Sequence, residues 1–120
     1  MSITAQTDAH SSLAFLPEPW RFRFYSLSDA DGEYAAAAVA EHADALELHL
    51  EVLRFGPQAV RALRADVQEL KAMARELGKT RIVGLRVEPG AQADPRWPKF
   101  TRLFGFTGQR VLQAAELRLD

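Results

Sequence analysis

The densest group of chemically useful side chains lies in residues 45–53, ALELHLEVL. Glu47, His49 and Glu51 alternate there with leucines and valine, a spacing typical of a strand with one polar and one apolar face. On such a face His49 could take a proton from an amine, directly or through water, beside an assisting carboxylate. The candidate catalytic residues are therefore Glu47, His49 and Glu51, and the alternatives are a polar sheet face or a subunit contact.

The same Glu-x-His-x-Glu spacing does not predict a metal site. Side chains two residues apart on a strand diverge along it instead of converging on one ion. His10 lies in the polar N-terminal stretch and His42 in a turn, so no second histidine cluster supports a metal. We expect none.

A possible site for an anion follows the strand directly. Arg54-Phe-Gly-Pro57 precedes a long amphipathic segment, and proline suits the first helical position because it has no N–H to satisfy there. The first turn of a helix presents unpaired N–H groups and the positive end of the helix dipole. A loop and helix start directly after a strand are where an α/β protein commonly binds an anionic cofactor.

Composition narrows the classes of function. The chain has 120 residues, 48% of them hydrophobic, and no cysteine, which excludes disulfides, thiolate catalysis and cysteine-bound zinc. Its 15 basic and 16 acidic residues give a net charge of −1, a balance that does not favour nucleic acid. No apolar run approaches the roughly 20 residues that span a bilayer, and the first residues lack signal-peptide features. We expect a cytoplasmic protein without membrane or nucleic-acid partners.

The elements that would position these residues follow from periodicity and turn chemistry. Residues 1–19 begin with a small, polar stretch and are predicted to form a flexible arm, and residues 20–120 a single domain. Strands are predicted from Trp20, where aromatic and basic residues alternate, over 33–41, and over 45–53. The alanines of the second strand are small enough to let another layer approach closely.

The second half of the chain predicts a crossover unit. A helix from Pro57 to Gly78 carries an apolar stripe, with its charged residues, Asp66 among them, mainly off that stripe. A strand over 82–87, a loop over 88–94 and a short helix from Pro95 follow, and a last strand over 110–119 closes the sheet. The predicted order is β-β-β-α-β-α-β. The stripe comprises Val60, Leu63, Val67, Leu70, Ala74 and Leu77.

Residues 33–120 resemble the GNAT superfamily of acyl-CoA N-acyltransferases. The resemblance lies in the strand over 47–52 with its loop and long helix, the strand over 81–87, and Leu-Phe-Gly-Phe at 103–106. It implies a GNAT-like α+β fold, an antiparallel meander followed by β-α-β-α-β, with a mixed sheet and a long helix. It also implies acetyl-CoA as cofactor. The cofactor-binding residues implied by the resemblance are Val52, Arg54, Gly56, Gln58, Ala59 and Arg61.

Two departures from the family pattern predict weakened catalysis. The family loop reads Arg/Gln-x-x-Gly-x-Gly/Ala; Gly56 can take the first glycine position, but Gln58 and Val60 stand where small residues are expected. The tyrosine that serves the family as an acid corresponds here to Thr101, whose hydroxyl is too weak an acid to replace a phenol. We therefore expect weaker binding of the cofactor and slower departure of the thiolate.

The N-terminal part also departs from the family. Full-length members have a strand and two helices before the meander, whereas 19 residues precede Trp20 here. A strand and two helices are not expected to fit in so short a segment, so the resemblance implies a truncated, degenerate member. Tyr25 and Tyr34, the other two phenols of the chain, are expected to be packing residues and not catalytic acids.

Two functions of different classes follow from these observations. The first is an acetyltransferase-like protein with weakened or lost catalysis, acting from acetyl-CoA on an amine. The second is a non-enzymatic structural or assembly protein, for example a phage virion component similar to small phage-encoded members, located in the virion. In that role the arm and sheet would bind protein partners or further copies of the chain, and the fold would be a pseudoenzyme scaffold.

Overall fold

A computed structural model describes residues 2–86, residues 94–110, and residues 115, 117 and 119. The chain divides into two compact units, Met1–Arg86 and Val87–Asp120. The first unit holds a five-stranded sheet and a long helix, and the second holds a short helix.

Two predicted elements fall mostly on residues outside this description. They are the loop over 88–94 and the last strand over 110–119, which therefore stay predictions.

The sheet is mixed, as the sequence predicts. Its first four strands pair antiparallel in chain order, and the fifth joins the fourth in parallel. Helix α1, Pro57–Glu76, makes the crossover. The α+β fold, with an antiparallel meander followed by a β-α-β crossover, is confirmed. The strands are β1 Ser2–Gln6, β2 Arg23–Asp29, β3 Gly32–His42, β4 Ala45–Val52 and β5 Arg81–Leu85.

Helix α1 starts and stops where its sequence predicts. Pro57 occupies the first turn, and Gly78, at φ +74°, takes the left-handed conformation that commonly ends a helix. Leu63, Val67 and Leu70 are buried along one stripe, and burial of this stripe holds the helix on the sheet. Asp66 lies within the stripe instead of off it.

The N-terminal segment corrects two predictions. In place of a flexible arm, Ser2–Gln6 pairs antiparallel with β2. Two single 3₁₀ turns, Ser11–Leu13 and Pro19–Arg21, occupy the connection to β2, and Leu13 and Leu16 are buried. A strand of five residues and two short turns need far less chain than two helices, so a first strand does fit before the meander.

Strand β2 begins later than its alternation predicts. Trp20 lies in the second 3₁₀ turn and is 79% exposed, and the strand starts at Arg23. The reason is Pro19, whose fixed φ favours the first position of a turn over a strand interior. Phe22 and Phe24 are buried.

Alanines on β3 allow a layer to pack closely, as expected. Ala36, Ala38 and Ala40 form one buried cluster with Leu13, Leu16, Phe22 and Phe24, with Ala9 packed against it. We call residues 9–22 the covering segment. Because alanine side chains end at Cβ, this irregular segment can approach the sheet closely enough to bury its own apolar residues.

The second unit contains α2, Trp97–Arg102. Its aromatic rings form a row, with centroids 6.2 Å apart for Trp97 and Phe100 and 5.2 Å apart for Phe100 and Phe104. Gly105 follows at φ +92°. No helix in the described part of the chain is both long and apolar enough to cross a membrane.

Candidate functional site

Glu47 on β4 makes a hydrogen bond to His49 and an ion pair to Arg21 of the covering segment. His49 Nε2 lies 2.9 Å from Glu47 Oε2, and Arg21 Nη2 lies 3.6 Å from Glu47 Oε1. Since a carboxylate oxygen accepts, the proton of a neutral His49 sits on Nε2 and the lone pair on Nδ1. Nδ1 is buried and has no hydrogen-bond partner among the described residues.

His49, on the polar face of β4, is covered by the segment that precedes β2. His49 is 6% exposed, and the Phe22 ring meets it edge-on at a centroid distance of 5.5 Å. The Arg21 guanidinium carbon lies 5.2 Å from the Phe22 centroid. The alternation placed Glu47, His49 and Glu51 on one face correctly, but packing by the covering segment encloses the imidazole.

Glu51 is the more accessible acid of the group. Its side chain is more exposed than that of Glu47, and its Oε2 lies 4.0 Å from Nη1 of Arg86. Within this trio Glu51 is therefore the carboxylate best placed to meet a group from solvent, whereas Glu47 is engaged with His49 and Arg21.

The loop after β4 keeps one feature suited to anion binding. Gly56 is the N-cap of α1 at φ +142° and ψ 168°, a conformation almost restricted to glycine. A Cβ at Gly56 would have no heavy atom within 4 Å, so the conformation and not a clash requires glycine. With no side-chain cap on the helix, Gln58 and Ala59 supply the first N–H groups after Pro57.

The remaining predicted cofactor-binding residues vary in exposure. Val52, the last residue of β4, and Gln58 are half-buried, Ala59 is buried, and Arg61 is exposed on the first turns of α1. These residues surround the start of the helix, and no ligand tests them.

Arg54 is held by a partner that the sequence did not indicate. Its Nη2 donates to Asp29 Oδ1 at 2.6 Å and to the Gly32 carbonyl at 3.2 Å. The Asp29 side chain is 2% exposed, and its Oδ2 is buried without a partner among the described residues. The hydrogen bond from Arg54 holds the pKa of Asp29 below its usual value. The turn sequence Asp-Ala-Asp-Gly at 29–32 gave no sign of this link.

We expect removal of the Arg54 guanidinium to reduce the acid sensitivity of the fold. Because folding lowers the pKa of Asp29, the contribution of the pair is complete above the unfolded value of about 3.9 and is lost as pH falls through the folded value. Arg54→Met should therefore be less stable than the parent at pH 6 or so, with the difference shrinking towards pH 2 or so. Urea unfolding across this range measures it.

Arg61→Met is the matched control, because Arg61 is an exposed arginine at the same end of α1. It should follow the pH dependence of the parent. An Arg54→Met variant whose stability runs parallel to the parent's at every pH would show that the Asp29 pair does not contribute.

A second link that sequence reasoning missed lies beneath α1. The Tyr34 hydroxyl donates to Asp66 Oδ2, and both residues are 1% exposed. The register shift between Leu27 and Ser28 pairs Ala35 and Glu33 with β2 but skips Tyr34. Burial, followed by the hydrogen bond to Asp66, raises the pKa of Tyr34 far above its usual range. Tyr34 is thus a neutral structural donor, consistent with the expectation that it packs.

Thr101, at the position of the family's acid, is also engaged in structure. It is buried, its Oγ1 donates to the Pro98 carbonyl at 3.1 Å, and it accepts from Gln109 Nε2 at 2.8 Å. Its hydroxyl therefore stabilises the end of α2 within the second unit. Among the described residues no group of three histidines, cysteines or acids could hold a metal ion.

Comparison with known proteins gives a fold but no family by sequence. No protein-family model and no curated protein sequence matches this chain. A candidate acetyl transferase from Pyrococcus furiosus is similar over 88% of this chain and 70% of its own, with a TM-score of 0.55 and 17% identity. A candidate acetyltransferase from Bacillus subtilis is similar over 84% of this chain and 65% of its own, with a TM-score of 0.53 and 14% identity. The chain has a GNAT-like fold.

Proposed function

We propose that this chain is an acetyltransferase-like protein that binds acyl-CoA beside the start of α1 and transfers the acyl group slowly or not at all. The enclosure of His49 carries this proposal, because its Nδ1 lone pair is buried and does not meet solvent. A base can act only within hydrogen-bond reach of the proton that it removes. A group enclosed in this way does not react at the rate of an open one.

The residues at the start of α1 support cofactor binding in this proposal. The N–H groups of Gln58 and Ala59 would face the pyrophosphate of the cofactor at the positive end of the helix. Arg54 would add positive charge, although the adjacent Asp29 carboxylate offsets much of it. Binding is therefore proposed to be weaker than a glycine-rich loop would allow.

The groups for proton transfer support a weakened reaction. Glu51, the more exposed carboxylate of β4, would accept the proton of an acceptor amine. The departing thiolate of CoA would receive no proton from Thr101, whose hydroxyl is hydrogen-bonded within its own unit. Attack on the thioester would then lack an acid to complete it, which lowers the rate of transfer and not the affinity for cofactor.

A binding scaffold is the second candidate function, and one observation favours it. Trp20 is 79% exposed and Phe15 is also exposed, both on the covering segment. Exposed aromatic residues of this kind are common anchors in protein interfaces. In this reading the fold would serve an assembly, such as a virion, through the surface of the covering segment.

Calorimetric titration with acetyl-CoA separates the two functions. We expect saturable micromolar binding by the parent and by Gly56→Ala, and no binding by Gly56→Trp. Both variants carry the strain of a side chain at φ +142°, but only tryptophan adds bulk, so the pair distinguishes obstruction from strain. Circular dichroism should confirm that each variant is folded.

Absence of binding to the folded parent at millimolar acetyl-CoA would contradict the acyltransferase reading. Binding without turnover across a panel of primary amines would instead support a cofactor-binding protein with lost catalysis. Binding that Gly56→Trp retains would exclude the start of α1 as its location.

A further inference from the structure

The His49 imidazole has an unused acceptor in an enclosed position. Its Nε2 is engaged with Glu47 at 2.9 Å, while Nδ1 is buried and has no hydrogen-bond partner in the part of the chain that the structure describes. Buried polar groups are nearly always hydrogen-bonded, because an unpaired acceptor loses its hydration without compensation. The enclosed state of His49 is thus held against a cost, and any motion that exposes Nδ1 recovers its hydration.

Two residues of the covering segment hold this enclosure. Phe22 packs its ring edge against the imidazole, and Arg21 lies over the Phe22 ring while its Nη2 approaches Glu47 at 3.6 Å. The 3₁₀ turn Pro19–Arg21 itself contains no buried residue. The turn is therefore held to the sheet chiefly by Arg21 and by its neighbour Phe22.

The residue before this turn is strained. Glu18 adopts φ +51° and ψ +58°, the left-handed region, although it carries a side chain and precedes Pro19. Left-handed backbone is uncommon for such residues, and a residue before proline prefers an extended conformation. Rotation of Glu18 to an extended conformation would relieve this strain, so a change of backbone conformation at this residue is favoured.

We propose that Pro19–Phe22 is a hinged cover that controls access to His49. The cover pivots at Glu18. It is held closed by the contact of Arg21 with Glu47 and by the contact of Phe22 with the imidazole. On opening it exposes Nδ1 of His49 as an acceptor for a group that carries an N–H, such as an amine. The identity of that group rests on the proposed function, whereas the opening itself does not. Arg21 is thus a positioning residue that acts on His49 through Glu47 and Phe22.

Chemical modification of histidine measures the opening without reference to activity. Diethyl pyrocarbonate acylates an accessible, neutral imidazole nitrogen, and peptide mass spectrometry assigns the rate at each histidine. The exposed His42 serves as an internal reference in the same molecule. We expect His49 to react slowly in the parent, and about tenfold faster in Arg21→Ala, because both the ion pair and the cation–π contact are lost.

Matched variants test the latch and the pivot separately. Arg23→Ala removes an exposed arginine from the next element and should leave the rate at His49 unchanged. Glu18→Gly removes the strain, and Glu18→Gln retains it, while both remove the charge near Arg21 at 3.9 Å. His49 should react more slowly in Glu18→Gly than in Glu18→Gln, because glycine tolerates the closed backbone.

Several outcomes would overturn the cover. The first is an equal rate of His49 modification in Arg21→Ala and Arg23→Ala, and the second is no modification of His49 in any variant. The third is a faster rate in Arg21→Ala that a fall in its urea midpoint explains, because unfolding of the whole chain would then expose His49. If the folded parent does not bind acetyl-CoA but the rates of His49 modification follow the expected order, the proposed function is rejected and the cover is supported. The two failures are therefore distinguishable.

Discussion

Tyr34→Phe is expected to lower the free energy of unfolding by about 3 kcal/mol. The hydroxyl of Tyr34 donates to Asp66 Oδ2 beneath α1, where both side chains are 1% exposed. Phenylalanine fills the same space but leaves that carboxyl oxygen without its donor. Urea unfolding, followed by far-ultraviolet circular dichroism, measures the difference.

Tyr25→Phe is the matched control for this deletion. Tyr25 is half-buried on the neighbouring strand β2, and removal of its hydroxyl should change stability by less than about 0.5 kcal/mol. The double variant Tyr34→Phe/Asp66→Leu should recover part of the loss, since no polar group is then left unpaired. Equal losses for Tyr34→Phe and Tyr25→Phe would show that the buried pair does not stabilise the fold.

The pH dependence gives an independent check of the same pair. Because folding raises the pKa of Tyr34, the contribution of its neutral phenol is complete below the unfolded value of about 10 and is lost as pH rises through the folded value. The parent should therefore lose stability in alkali beyond pH 10 or so, more steeply than Tyr34→Phe. Parallel alkaline losses in the two proteins would contradict the assignment.

Local sequence patterns predicted the core architecture well. The alternation over 45–53 gave β4, and Pro57 and Gly78 marked the limits of α1 correctly. These signals need only the residues of one element, because strand period and helix caps are properties of neighbours in sequence. The parallel addition of β5 followed from the crossover through α1.

The errors arose where distant residues decide the outcome. Ser2–Gln6 has only five residues, few of them apolar, and becomes a strand because β2 offers it an edge. Asp66 looked like a solvated charge on α1, but the skipped register at Tyr34 brings a phenol to it from 32 positions away. Neither feature leaves a periodic signal in its own segment.

At the candidate site, too, local patterns were predicted correctly and contacts between distant residues were not. The sequence put Glu47, His49 and Glu51 on one face, yet gave no sign that the covering segment encloses that face. The resemblance implied that Arg54 binds the cofactor, but its partner Asp29 lies 25 positions earlier. Strand period thus predicted which chemical groups come together, while tertiary packing decides which of them can meet a ligand.

Ala38→Val is the second substitution for which we expect a large fall in the free energy of unfolding, although strand propensity alone would predict a gain. Valine is favoured over alanine in strands, but Ala38 is fully buried in the cluster with Leu13 and Phe22 and pairs in register with His49. Two added methyl groups must displace the covering segment, and overpacking of this kind costs about 2 kcal/mol. Urea unfolding should show this loss.

The control for this substitution lies on the edge of the same sheet. Ala5 is exposed in β1, so Ala5→Val should leave stability within about 0.5 kcal/mol of the parent or raise it slightly. An unchanged or higher stability in Ala38→Val would mean that the covering segment yields without cost, and close packing on alanine would not be what holds it. The expected loss would instead show that the alanines of β3 set the distance of the covering segment from the sheet.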